Sequence, residues 1–205
     1  MPVLEEALRM RKAHFFTKLD LKNGFWQIQL AKSDRKFTAF KIANRIFQWT
    51  CMPMGMKNSP MTFQRMIDRL LFGIKGQFCY GYLDDIIIFS ETWEEHLRHL
   101  EEILRRMNQF GLRLNFGKCE FGVTRVKYLG HIVSYNTIEM DSEKIEAIKK
   151  IPYPEKPSIK KIQEFLGMTG YYRRFIFRFA EIARPLTFLT RKGVPWKYGE
   201  EEKMT

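Results

Sequence analysis

The stretch FCYGYLDDIIIFS (78–90) constrains this chain more than any other. Phe78, Tyr80 and Tyr82 lead into two adjacent aspartates, and Ile86, Ile87, Ile88 and Phe89 lead out of them. Aromatic and β-branched runs of this length read as strands, so Asp84 and Asp85 fall at or beside a tight turn between two buried strands. Two like charges held side by side near a low-dielectric core repel each other and are costly to desolvate. A chain keeps that arrangement most readily when a cation sits on it. An ordinary hairpin turn is the other reading, because Asp is frequent in turns.

The surrounding pattern predicts a mixed chain. Residues 1–16 look like the end of a helix running into a strand, and 15–21 read as a strand ending near Asp20. Segments 25–30, 36–42 and 45–50 read as further short strands, with a turn at Ala43-Asn44. Ser59, followed by Pro60, reads as the cap of a helix reaching about Gly73. Thr92 and Glu95 have capping-box spacing, and Trp93, Leu97, Leu100, Leu104 and Met107 recur at helical period until Gly111. Segments 112–116 and 126–134 read as strands. Beyond them the pattern turns helical: Asp141 caps 142–151, a Pro-rich turn spans 151–157, Ser158 caps 159–175, and a last helix covers 180–189. The expected fold class is α+β, an antiparallel sheet packed on helices over 1–138 followed by a helical domain over 139–205.

Charge narrows the partners. The 205 residues carry a net charge of +12, an electrostatic footprint for a polyanion, with nucleic acid the leading candidate. From Ala147 to Tyr198, twelve Lys and Arg face only Glu155, Glu164 and Glu181, with Phe165, Tyr171, Tyr172, Phe175, Phe177 and Phe179 interleaved. A solvated basic face over an aromatic core is the plain alternative. No apolar run approaches the roughly 20 residues that span a bilayer, and the N-terminus has no secretory pattern. Cys51, Cys79 and Cys119 are odd in number and lack metal-ligand spacing, so they read as reduced thiols of an intracellular protein.

Strand-end carboxylates beside a basic helical region suit phosphoryl chemistry. Two divalent ions about 4 Å apart activate one oxygen and stabilise another, and Mg²⁺ prefers carboxylate and phosphate oxygens. Asp20 and the Asp84-Asp85 pair supply such a set if strand 15–21 lies beside the hairpin.

These residues carry a resemblance. Tyr82-Leu83-Asp84-Asp85 is similar to the Y-x-D-D signature of reverse transcriptases, and KLDLKNGFWQIQL (18–30) resembles their first catalytic motif. MPMGMKNSPMTFQ (52–64) resembles the M-P-F-G-L-K-N-A-P-x-T-F-Q segment of gypsy-class (Metaviridae) LTR retrotransposons, with Met54 and Met56 replacing Phe and Leu. LRLNFGKCEF (112–121), VKYLGHIVS (126–134) and FLGMTGYYRRFI (165–176) resemble later blocks in the same order. Six ordered blocks are far more specific than one short motif.

The resemblance implies a polymerase palm with partial fingers, then a helical thumb and the start of a connection. It implies that Asp20, Asp84 and Asp85 bind two Mg²⁺ ions, with Mn²⁺ a substitute and the Leu21 carbonyl assisting. Phe25 would pack under the nucleotide sugar, Met54 and Gly55 would contact the nucleotide, and Lys118 would stand near the leaving pyrophosphate. Tyr82, Leu129, Gly130 and His131 would seat the primer end, and Lys160, Lys161, Arg173 and Arg174 would hold primer–template. A solvent-facing strand residue is the plain reading of His131. The implied activity is RNA-directed DNA polymerisation of dNTPs on an RNA or DNA template, in a truncated piece of a Pol polyprotein that also carries RNase H and integrase segments, in a cytoplasmic particle or the nucleus. A catalytically silent, nucleic-acid-binding remnant is the alternative. A two-metal nuclease accounts neither for 52–64 nor for Phe25.

Overall fold

A computed structural model of the chain describes residues 10–152 and 157–199, so the helix end expected before residue 10 and most of the expected Pro-rich turn lie outside the described residues. The chain divides into two compact units, Met1–Glu139 and Met140–Thr205.

The first unit is built on strands β1 (Phe15–Asp20), β2 (Phe40–Ile42), β3 (Arg45–Phe47), β4 (Cys79–Tyr82), β5 (Asp85–Ser90), β6 (Glu120–Val123), β7 (Arg125–Tyr128), β8 (His131–Ser134) and β9 (Thr137–Met140). Helices α1 (Ser59–Leu70) and α2 (Trp93–Gln109) complete it. The main sheet has the order β4-β5-β1-β6, with every measured pairing antiparallel. Strands β7-β8-β9 form a second sheet, and β2-β3 a separate hairpin turning at Ala43-Asn44.

Alternation of side chains across a strand explains the long apolar runs. Leu19, Ile86, Ile88 and Cys79 pack with Phe63, Ile67 and Leu70 of α1 and Ile103 and Met107 of α2. The opposite face sends Phe16, Tyr80, Ile87 and Phe89 against Val126, Tyr128 and Val133 of the second sheet. Both faces of β1 and β5 are therefore covered, and the Ile86–Phe89 run needs no polar alternation. Between sheet and α2 lies a buried polar knot. His96 Nε2 is 2.7 Å from the Thr17 hydroxyl, and the Ser90 hydroxyl is 3.0 Å from His96 Nδ1 and 2.8 Å from His99 Nδ1. Burial is the main cause that holds both imidazoles below the ordinary histidine pKa.

Several expectations shift. Segment 25–30 is not a strand: Gly24–Gln27 forms a 3₁₀ turn after Asn23, whose φ of 56° is left-handed, because the chain must turn away at once past Asp20. Segment 36–42 opens with a 3₁₀ turn, Arg35–Thr38, before β2. Ser59 does not cap α1. Its hydroxyl donates to the Pro53 carbonyl instead, and Asn58 occupies the cap position without a side-chain bond. Segment 112–116 makes one bridge, Leu114 to Leu21, and then coils into a 3₁₀ turn. Segment 126–134 is a hairpin, with Leu129 (φ 47°) and Gly130 (φ 79°) as its two-residue loop, the backbone that a tight turn between twisted strands requires.

The second unit holds α3 (Ser142–Lys149), α4 (Ile159–Gly170), α5 (Phe179–Ile182) and α6 (Arg184–Leu189). Asp141 and Ser158 cap α3 and α4 as expected, but α4 ends at Gly170 and a separate 3₁₀ turn carries Arg173 and Arg174. Ile162, Leu186 and Leu189 form its core.

Candidate active site

Antiparallel pairing of β1 with β5 sets Asp20 directly opposite Asp85, and pairing of β4 with β5 sets Tyr82 opposite the same residue. Leu83 and Asp84 are the two-residue loop joining β4 to β5. Leu83 is left-handed (φ 50°), an arrangement a leucine adopts only when its surroundings enforce it. The Leu21 N–H donates to the Asp84 carbonyl at 2.9 Å, which ties the loop to the end of β1. One end of the sheet thus collects all three aspartates, with the Asp20 and Asp85 positions alternating onto the face of β1 and β5 away from α1 and α2, while the Leu21 side chain packs into the helix-facing core.

Gly24 makes room for the middle carboxylate. A Cβ added there would lie 2.0 Å from Asp84 Oδ1 and 2.6 Å from its Cγ, so only glycine fits beneath that side chain. Asp84 Oδ1 is buried and, among the described residues, has no hydrogen-bond partner. Burial raises the Asp84 pKa, and the charges of Asp20 and Asp85 add to it. Burial also raises the Asp85 pKa, while Lys18, whose Nζ stands 3.7 Å from Asp85 Oδ1, pulls it down. Asp20 is fixed by its backbone: its N–H donates to Cys119 Sγ at 3.4 Å and its carbonyl accepts from Asn115 at 2.8 Å. A buried, unpartnered carboxylate oxygen flanked by two further carboxylates is a donor set that fits a hard divalent cation. Among the described residues, no group of three His, Cys, Asp or Glu side chains is placed so as to hold a metal ion.

The other expected residues fall in four places. Phe25 lies on the 3₁₀ turn after Asp20 and packs edge-on against Phe63 of α1, ring centres 5.4 Å apart. Met54 and Gly55 (φ 86°) form the exposed loop before α1, beside a cleft of about 430 Å³ lined also by Trp26, Phe37 and Trp49. Lys118 is exposed on its 3₁₀ turn and lowers the Asp85 pKa through its charge. Leu129 and Gly130 make the β7-β8 loop. His131 corrects its solvent-facing reading: it is 2 % exposed, with Nδ1 3.1 Å from the Leu129 carbonyl, because its place on β8 points into the core. In the second unit Lys160, Lys161, Arg173 and Arg174 are all exposed, and Lys160 stands 4.0 Å from Glu164.

Three further residues shape the site without a clear signal in the sequence. Gly24 carried a faint signal as a glycine four residues past a strand-end aspartate. Gln27 bonds both the N–H and the C=O of Arg113 (2.7 and 3.1 Å), and Gln64 of α1 bonds the β4-β5 turn. Glutamines that reach across the fold leave no local pattern to read.

Known proteins share both sequence and fold. Residues 3–133 match the model of the family described as "Reverse transcriptase (RNA-dependent DNA polymerase)". The chain is 44% identical over 179 residues to the retrovirus-related Pol polyprotein from transposon opus of Drosophila melanogaster, covering 87% of the chain and 18% of that relative. It is 43% identical over 203 residues to the corresponding polyprotein from transposon gypsy of the same fly, covering 94% of the chain and 19% of the relative. The chain therefore spans less than a fifth of the length of these relatives. Among solved structures, a foamy viral protease-reverse transcriptase in complex with double-stranded DNA superposes with a TM-score of 0.80 at 30% identity, over 96% of this chain and 35% of that one. The foamy viral protein in complex with an RNA/DNA hybrid gives 0.77 at 29% identity, over 97% and 27%.

Proposed function

The chain belongs to the reverse transcriptase family, and from that premise we propose that it is an RNA-directed DNA polymerase, adding dNTPs to a primer 3′-hydroxyl on an RNA or DNA template. The observation that carries the reading is the meeting of Asp20, Asp84 and Asp85 at one end of the β1-β5 pair. The family is generally dependent on a divalent metal. Two Mg²⁺ ions, or Mn²⁺ in their place, would supply Lewis-acid activation of the attacking and departing oxygens.

The chain's own residues divide the remaining work. Asp20, Asp84 and Asp85, with the Leu21 carbonyl, hold the cations. The Phe25 ring, braced by Phe63, offers a flat apolar wall for a nucleotide sugar, and Met54-Gly55 present open backbone along the cleft they line with Trp26, Phe37 and Trp49. Lys118 places positive charge where a pyrophosphate departs. Lys18 pairs with Asp85 and so limits the repulsion among the three carboxylates. Tyr82 and the Leu129-Gly130 loop, with His131 buried at its base, form the surface that seats a primer end. On this reading residues 1–138 are palm with partial fingers and 139–205 the thumb, whose exposed Lys160, Lys161, Arg173 and Arg174 grip phosphates. The intracellular setting, in a particle or the nucleus, and RNase H and integrase segments as polyprotein partners belong to the same proposal.

Primer extension on an RNA template with Mg²⁺ tests it. Wild-type chain extends the primer, and Asp85→Asn abolishes extension while keeping the thermal transition of the parent. Extension retained in Asp85→Asn overturns the assignment of the carboxylates, whereas tight template binding without extension by wild type selects the silent nucleic-acid-binding reading.

A further inference from the structure

Asp84 sits on a loop of two residues whose first member, Leu83, is in a conformation unfavourable for a leucine. Such a loop holds one shape only if something outside it does the holding. The Leu21 N–H grips the far side, through the Asp84 carbonyl. The near side is gripped by a single side chain of α1. Gln64 Nε2 donates to the Gly81 carbonyl at 3.0 Å, and Gln64 Oε1 accepts the Leu83 N–H at 2.9 Å. One amide thus satisfies the Leu83 donor and the Gly81 acceptor, one and three residues before Asp84.

The fold is arranged to permit this reach. Gly81 is buried, and a Cβ there would lie 2.5 Å from Ile67 Cγ2 and 2.8 Å from Leu71 Cδ1. The missing side chain lets β4 press directly against α1, one turn from Gln64. Gln64 Nε2 also lies 3.2 Å from Asp68 Oδ1 on the next turn of the helix, a contact that serves the helix and not the loop.

We propose that Gln64 is a positioning residue for Asp84, acting through the backbone of the β4-β5 turn to set where that carboxylate meets a divalent cation. The inference rests on the reading of Asp20, Asp84 and Asp85 as a cation site. Hydrogen bonds to groups that hold a metal's ligands change metal affinity by about 10- to 100-fold when removed, and the two bonds here fix the ligand's main chain.

The test is a Mn²⁺ titration of the folded chain followed by electron paramagnetic resonance, well below the thermal transition of each variant. Gln64→Met keeps length and packing and removes both bonds; Gln64→Glu keeps the acceptor for the Leu83 N–H and loses the donor; Asp68→Asn leaves the clamp intact. The expected result is a Mn²⁺ Kd weakened by about 10- to 100-fold in Gln64→Met, a partial recovery in Gln64→Glu, and no change in Asp68→Asn. Wild-type affinity in Gln64→Met, alongside lost binding in Asp84→Asn, overturns the inference and leaves the cation site standing. Unchanged binding in Asp84→Asn overturns the cation site itself. A Gln64→Met protein with a lowered Tm and wild-type affinity assigns Gln64 to stability alone and also overturns the inference.

Discussion

Gly24→Ala separates the site from the fold. The φ of Gly24 lies outside the left-handed region, so alanine meets no backbone strain there. Substituting alanine for a glycine in a compatible conformation stabilises a fold by about 0.4–1 kcal/mol, through the unfolded chain. The added Cβ, however, lands 2.0 Å from Asp84 Oδ1 and 2.7 Å from Oδ2, whereas ordinary contact begins near 3.4 Å. Because that oxygen has no hydrogen bond to lose among the described residues, the carboxylate yields more cheaply than the sheet, retreating by about 1.4 Å. A displacement of about 1 Å at a reacting centre costs on the order of 100-fold in rate, and a misplaced ligand costs about 10- to 100-fold in metal affinity. Gly24→Ala is thus expected to keep its Tm or gain up to about 4 °C, while Mn²⁺ affinity and primer extension both collapse. Melting by circular dichroism and Mn²⁺ titration read the two sides separately. Wild-type affinity in this variant refutes the reasoning, and so does a loss of affinity matched by a fallen Tm.

Gly81→Ala acts on the opposite side of the turn and behaves in the opposite way. Its Cβ drives into Ile67 and Leu71 of the main core, so overpacking should destabilise by roughly 1–3 kcal/mol, read as a lowered urea midpoint; an unchanged midpoint would mean that α1 and β4 are not packed this closely. The histidine knot gives a pH dependence. His96, His99 and His131 all have pKa values lowered by burial, so the unfolded chain binds protons that the folded chain refuses. Stability is therefore full above the ordinary histidine value near 6.5 and declines as pH falls through it. The raised carboxyls of Asp84 and Asp85 work in reverse, adding stability at low pH that is lost as pH rises. Urea midpoints from pH 8 to 5.5 in the Asp84→Asn/Asp85→Asn double variant isolate the histidines, and a flat profile there contradicts their burial.

Legibility in the sequence followed the range of the physics. Strands β1, β4 and β5 and the caps at Thr92, Asp141 and Ser158 are set by neighbours a few residues apart, and each was readable. The three aspartates were readable too, because charges beside apolar runs stand out. Segment 25–30 has the composition of a strand yet coils, since Gly24 must pass under Asp84, a residue 60 positions away. Within 126–134 the residue pattern alone shows no break, because Leu129, not only Gly130, takes the left-handed turn, and only the resemblance points to a hairpin at Leu129–His131. Strands β6 and β9 are four residues each with mixed polarity, and their pairing partners define them more than their residues do. Gln27 and Gln64 act on backbone atoms across the fold, so nothing near them in the chain announces the role.

A crystal of the chain soaked in Mn²⁺ and read by anomalous scattering decides whether Asp20, Asp84 and Asp85 form one cation site. The expected map has a peak at the end of the β1-β5 pair, with carboxylate oxygens from Asp84 and at least one of its two neighbours about 2.0–2.6 Å from it and Lys18 displaced from Asp85. A fully soaked crystal with no peak there, and Lys18 still paired with Asp85, contradicts the site and the polymerase mechanism built on it.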